Sequence, residues 1–315
     1  MVQVGTIGYE AGLRLQKKLV DLRKAGAIGD VLLLLEHNPV ITLGRNAKAA
    51  NVLASTEELA ARGVEVFECD RGGDVTFHGP GQVVGYPIFD LRGFESCQLS
   101  VASSQEKQNP TRKTMGVIDY VRRLEEVLIR CCADFGIASR RVRGWTGVWT
   151  AENTASGRDV GRDPSTAQGD RFADRAAPLR MTSEDGVGEA RANTGGRFEE
   201  EFAEKKIAAL GVHISRSVTS HGFALNVNTD LSYFDLIVPC GIVAKGVTSM
   251  KKELGRDVEM EPVAQSLSRN FGNVFGRQML WVESVEALLG ETVGVPVKAP
   301  EELRRMRGEE EIFLA

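Results

Sequence analysis

The chain has 315 residues, 42% hydrophobic and 26% charged, which is enough apolar content for a packed core and too much for a disordered or fibrous polypeptide. Its 39 basic and 43 acidic residues leave a net charge of −4, which excludes the clearly basic surface of a typical nucleic-acid binder. The longest apolar run is 31–35, far short of the ~18 residues of a membrane span.

Residues 1–7 lack the basic region and long apolar run of an export signal. Five cysteines with no CxxC pair then predict reduced thiols in a cytoplasmic protein. Residues 2–9 alternate weakly and predict a strand. Residues 11–24 carry Leu13, Leu15, Leu19, Val20 and Leu22 among basic side chains, the pattern of an amphipathic helix. Residues 30–36 form a short apolar run of the buried-strand kind, closed by the turn signal Asn38-Pro39. Two further strands are predicted at 64–69 and 83–89, with a glycine-dense loop between them. Over 117–135, Val117, Tyr120, Val121, Leu124, Val127, Leu128 and Cys131 recur at helical spacing. Residues 206–217 and 222–228 predict two strands joined by a short turn, and 261–275 a helix. Strands and helices mix without a βαβ rhythm.

Two segments break these patterns, 95–115 and 152–204. The second has 19 charged residues and seven glycines but few large apolar side chains, too little to offset the cost of ordering it. Both predict surface insertions, and a C-terminal extension follows residue 276. The 152–204 segment holds 12 acidic residues against seven arginines, so the remainder of the chain is near neutral.

The densest chemistry lies in 71–82, Arg-Gly-Gly-Asp-Val-Thr-Phe-His-Gly-Pro-Gly-Gln. Its glycines let backbone approach a ligand, while Arg71 and His78 add a cation and a titratable donor. The alternative is a tight turn between strands. The spacing is neither a dinucleotide fingerprint nor a phosphate-binding loop. Cys240 stands in Leu-Ile-Val-Pro-Cys-Gly-Ile, where an apolar run delivers a thiol to a Pro-Cys-Gly turn. It reads either as a nucleophile or as a small core residue, the reading that Cys131 and Cys132 fit on their helix. A thiol of pKa ~8.5 needs a nearby cation or base to attack at neutral pH; Lys206, Lys245, His78 and His221 are the candidates. Lys206 opens an apolar strand, where a lysine is ordinarily a solvated charge. His221 either orients a ligand or satisfies a buried carbonyl. The four histidines have no metal-ligand spacing, so neither a metal nor a cofactor is expected.

Residues 33–45, 71–82, 206–212, 220–228 (Ser-His-Gly-Phe-Ala-Leu-Asn-Val-Asn) and 231–242 (ending Val-Pro-Cys-Gly-Ile) together resemble the octanoyltransferases of lipoate biosynthesis. The resemblance implies a single α+β domain over 1–276, a mixed sheet flanked by helices as in biotin and lipoate protein ligases, with the extension at 277–315. It implies transfer of octanoyl from octanoyl-acyl carrier protein to a lysine on lipoyl domains, those of 2-oxoacid dehydrogenase E2 subunits and the glycine cleavage H protein. Cys240 matches the family's thioester nucleophile and Lys206 the lysine that lowers its pKa, which reverses the solvated-charge reading. Arg71, Gly72, Gly73, Asp74, Val75, Thr76, Phe77, His78, Ala209, Leu210, Gly211, Gly222, Phe223 and Ala224 match its acyl-substrate contacts. No ATP, membrane or nucleic acid is involved, and a monomer suffices. Arg45, Lys48, Arg143, Lys245, Lys251 and Lys252 read either as docking charges for an acidic carrier or, each by itself, as ordinary solvated charges. Phe77 stands where many relatives carry tyrosine, and 152–204 falls where they have a short turn; since the strand resumes intact at Lys206, the insertion is expected to loop outward. The rival readings are an ATP-dependent lipoate or biotin protein ligase, which needs no cysteine, and a non-catalytic binder of acyl carrier protein.

Overall fold

The apolar run after Asp30 folds as β2 (Val31–His37), whose first five side chains are all buried because helices cover both faces of its sheet. A computed structural model of the chain describes residues 1–94, 114–150, 204–239 and 246–289. Among these, β2 pairs in parallel with β1 (Val2–Ile7) and antiparallel with β6 (Gln82–Ile88). The sheet continues antiparallel through β10 (Val218–Asn226), β9 (Lys206–Ser215), β8 (Trp145–Thr150) and β7 (Ser139–Val142), in the order β1-β2-β6-β10-β9-β8-β7. A smaller sheet has β3 (Val40–Leu43) between β4 (Glu65–Glu68) and β5 (Val75–His78). The α+β class with a mixed sheet is as the sequence predicts.

Period-2 alternation assigns the faces of the large sheet. Leu32, Leu34, Phe223 and Leu225 face α3 (Val117–Asp134) and α5 (Met260–Phe275), together with Leu124, Leu128, Phe271 and both Cys131 and Cys132. Leu33, Leu35, Val84 and Ile88 face Leu19 and Val20 of α1 (Tyr9–Lys24). A third cluster lies under the small sheet, where Ile41, Val75 and Phe77 meet Leu59, Phe234 and Leu236.

Several expectations are corrected. The 71–82 segment is not loop throughout, since β5 and the first residue of β6 lie within it. Four alternating residues in a glycine-rich run are too short a pattern to read as a strand. The second strand of the late hairpin begins at Val218, not 222, because the turn is only Arg216 and Ser217, both with positive φ (51° and 67°). Two left-handed residues make the tight hairpin turn whose twist matches its strands. The first part of the expected extension packs on the domain: the Val282 N–H donates to the Met1 carbonyl, and Val285 and Leu288 lie beside the α1 cluster. The expected insertions lie almost wholly outside the described residues. Around the larger one, Trp149 pairs with Lys206 and the Thr150 N–H donates to the Lys205 carbonyl at 2.9 Å. The chain therefore leaves β8 and re-enters β9 side by side, with a register irregularity between Val148 and Trp149 that sets Trp149 opposite Lys206.

Phe271 is fully buried and meets the rings of Phe89, Phe223 and Phe275 at 5.5–6.1 Å. Phe271→Ala should cost about 3–5 kcal/mol, read as a lower urea midpoint at unchanged slope.

Candidate active site

Glycines stand where the two sheets approach and where β10 meets β6. Gly211 of β9 pairs with Gly222 of β10. A Cβ on Gly211 would sit 2.7 Å from the Gly72 carbonyl oxygen, one on Gly222 2.2 Å from that of Gly85, and one on Gly44 2.4 Å from that of Gly73. The Arg71–Gly73 backbone can thus lie directly on the large sheet. Arg71 anchors it: Nη2 donates to the Thr42 carbonyl at 2.7 Å and to its hydroxyl at 2.9 Å, Nε to the same hydroxyl, and Nη1 to the Gly72 carbonyl. Asp74 closes the loop, accepting from the Val75 N–H at 2.8 Å and from Asn51 Nδ2 at 2.6 Å.

A cleft opens between the sheets, lined by Arg71, Gly73, Asp74, Thr76, His78, Ala209, Leu210, Gly211, Gly222, Phe223 and Ala224. Tyr9, Val84, Tyr86 and His221 complete its wall. Three expected contacts face elsewhere. Val75 and Phe77 alternate with Thr76 and His78 along β5, so their side chains enter the small-sheet core, where Phe77 stacks on Tyr233 at 4.7 Å. Gly72 acts through backbone, its N–H donating to the Val212 carbonyl.

A second, smaller cavity shares Thr76, Ala209 and Ala224 with the first and adds Lys206, Gln82, Asn226, Phe234, Pro239 and Val247. Lys206 is buried, contrary to a solvated strand-end charge, and its backbone is held on both sides: its N–H donates to the Gly246 carbonyl and its carbonyl accepts from the Thr248 N–H. Cys240 and Lys245 lie outside the described residues; Pro239, which precedes Cys240 in the chain, lines the same cavity as Lys206.

Histidines held neutral line the wall or, as His37 does, lie against its Tyr9, His78 and Tyr86. His37 Nδ1 meets the Ile7 carbonyl, which can only accept, so Nδ1 bears the proton and Nε2 accepts from the Tyr86 hydroxyl at 2.6 Å. Burial lowers the His37 pKa to about 4. Gln82 donates to the Phe77 carbonyl, which orients its amide so that Oε1 accepts from His78 Nδ1 at 2.7 Å. Burial, aided by His37 nearby, lowers the His78 pKa to about 3. Gln82 also donates to Asn226, which donates to the Thr248 carbonyl. A buried amide chain thus ties His78 to the segment beside Lys206.

His221 does not serve a backbone carbonyl. Its Nε2 donates to Asp70 at 2.7 Å, and burial outweighs that carboxylate to lower its pKa. His213 approaches the second Asp70 oxygen at 2.5 Å. Burial opposes, but these two histidines still hold the Asp70 carboxyl below its ordinary value. His221 has φ 55°, sparsely populated for a residue with a side chain, and Gln16 of α1 accepts its N–H at 2.8 Å. Sequence reasoning missed Tyr9, Gln16, Asp70, Tyr86 and Trp149, whose roles rest on partners distant in the chain and leave no local signal. Among the described residues, no group of three or more His, Cys, Asp or Glu is arranged to hold a metal ion, and no helix is long and apolar enough to cross a membrane.

The model of the lipoyl protein ligase A/B catalytic domain matches residues 8–272. The chain belongs to that family. It is 50% identical over 309 residues to an octanoyltransferase of Koribacter versatilis, covering 97% of each chain. An octanoyltransferase of Acidobacterium capsulatum is 49% identical over 92% of this chain and 96% of its own. The fold resembles a bi-partite lipoate protein ligase of Thermoplasma acidophilum with a TM-score of 0.54 at 13% identity, covering 94% of this chain and 92% of that one.

The neutral histidines set an acid limit on stability. With folded pKa values of about 4 and about 3 against an ordinary 6.5, His37 and His78 bind protons more readily when unfolded. Stability should therefore be full above about pH 6.5 and fall by up to about 1.4 kcal/mol per pH unit for each histidine as pH drops towards 4. The lowered carboxyls Asp70, Asp90 and Asp134 add losses only below that window, as pH falls past their ordinary 3.8. Urea midpoints measured from pH 7 to 4 should decline, and His37→Phe should flatten the decline.

Proposed function

We propose that the chain transfers octanoyl from octanoyl-acyl carrier protein to a lysine of a lipoyl domain through a thioester on Cys240, with Lys206 carrying the proton. One observation carries the reading: Lys206 and the residue before Cys240 line one cavity, and that cavity shares Thr76, Ala209 and Ala224 with a longer trough. The family and the octanoyltransferase relatives at 49–50% identity point to the same chemistry.

The Cys240 thiolate, favoured by the Lys206 ammonium, attacks the carrier thioester. The new C–S bond forms, the carrier thiolate leaves, and Lys206 gives it a proton. The acceptor lysine's amine then attacks the acyl-cysteine. The amide forms, Cys240 leaves as thiolate, and neutral Lys206 takes the surplus proton. Both half-reactions balance with no ATP, metal or redox cofactor. The trough supplies chain recognition, each buried methylene contributing about 0.8 kcal/mol. His78 and His221 in its wall are hydrogen-bonded to protein groups, and Arg71 is held by the Thr42 and Gly72 acceptors.

The reaction runs in the cytoplasm, with E2 subunits and the glycine cleavage H protein as acceptors, and residues 1–276 form its catalytic domain. Lys252 lines a surface groove that also includes Pro239 and Leu53, so a basic group flanks the approach to Cys240. Lys251 pairs with Asp257 at 2.7 Å.

Purified protein mixed with octanoyl carrier protein and apo lipoyl domain, without ATP, should add one octanoyl group to the domain lysine. Lys206→Ala should slow transfer at least about 10²-fold, the scale of a lost proton-transfer group, with an unchanged circular dichroism spectrum. An absolute ATP requirement would support a ligase instead, and binding without turnover a carrier-protein scaffold.

A further inference from the structure

Trp149 lies opposite Lys206 in the β8–β9 register and is fully buried, and its ring centroid is 4.7 Å from Lys206 Nζ. The strand is shaped for this approach. A Cβ at Gly147 would lie 3.1 Å from Lys206 Cε and 2.9 Å from the Ala208 carbonyl oxygen, so the glycine leaves room for the lysine stem. The Gly147 N–H donates to Glu125, a fully buried carboxylate that also accepts from Arg122 and Arg141, which ties β8 to α3 at this point.

We propose that Trp149 is a positioning residue for acyl transfer, its π face holding the Lys206 ammonium in place. This rests on the assignment of Lys206 as the proton carrier. An aromatic face attracts a cation through its quadrupole, yet it takes no proton and carries no net charge. A carboxylate at that position would hold the ammonium as well, but its negative charge would oppose a thiolate nearby. The attraction lapses when Lys206 gives up its proton and returns when the acceptor amine supplies one.

Several described groups lie around Lys206 besides the ring. Thr76 of β5, Gln82 of β6 and Asn226 of β10, which line its cavity, do not titrate. His78 reaches this side only through Gln82 and is neutral. Gly246 and Val247 bring backbone and apolar surface. Glu125 lies behind Gly147 with its charge matched by two arginines, Lys205 is the charged neighbour on β9 itself, and Cys240 follows Pro239.

Trp145 and Trp281, both exposed, are the other tryptophans. In a Trp145→Phe, Trp281→Phe background, tryptophan with one, two and three ring fluorines can replace Trp149 alone, weakening the π face at nearly constant shape. The measurement is the single-turnover rate of octanoyl loading from octanoyl carrier protein by intact mass across pH, with the thermal midpoint as control. The neutral-pH rate should fall stepwise with fluorine number to about a tenfold loss. The midpoint should stay put. A rate independent of fluorination would make Trp149 a packing residue and overturn the proposal, even if Trp149→Leu lowers activity along with stability. An unfluorinated protein that takes up no octanoyl would overturn the transfer reading itself.

Discussion

The close approach of two sheets across glycine is the constraint on which the site depends. With Gly211 bare, the Gly72 carbonyl lies on β9 at a distance that no Cβ would allow; Gly44 makes the same room for the Gly73 carbonyl, and Gly222 lets β10 sit against Gly85 of β6. The alternating β5 strand follows from that placement, with Thr76 and His78 over the trough and Val75 and Phe77 in the small core. The Arg71 guanidinium is buried among carbonyl and hydroxyl acceptors, with no carboxylate within ion-pair distance among the described residues. A positive charge thus stays beside the trough while its hydrogen bonds hold the loop.

A second constraint is the pairing of β8 with β9 around the 151–203 segment. The segment departs from Thr150 and returns near Lys205, residues whose backbones are bonded to each other. Sequence added at such a junction lengthens a connection without shifting the register, at a closure cost that grows only logarithmically with length. Trp149 therefore stays opposite Lys206. The amide chain from His78 through Gln82 and Asn226 reaches Thr248, whose N–H donates to the Lys206 carbonyl. The trough and the lysine are thus parts of one hydrogen-bonded unit.

The long helices were legible because three or four turns of apolar residues repeat at 3.6-residue spacing, as Tyr120, Leu124, Val127, Leu128 and Cys131 do on α3. β5 was not, because four alternating residues inside a glycine-rich run carry too little pattern. β8 was missed since Gly147 interrupts it and its partner β9 resumes beyond a long gap. At the site, the glycines and Lys206 were visible through the family resemblance, and their burial and pairing are structural findings. Asp70 with His221, Gln16 with the His221 backbone, Tyr86 with His37 and Trp149 with Lys206 are pairs separated by 49 to 205 residues or by the insertion, and periodicity says nothing of such partners.

The account turns on a covalent acyl-enzyme at Cys240. Intact-mass spectrometry after brief exposure to octanoyl carrier protein, with no lipoyl domain present, reads it directly. The account predicts a mass gain of one octanoyl group on the wild-type protein, mapped to the peptide containing Cys240 and absent from Cys240→Ser. A wild-type protein that transfers octanoyl without ever gaining that mass, or a Cys240→Ser variant with full transfer activity, would contradict it.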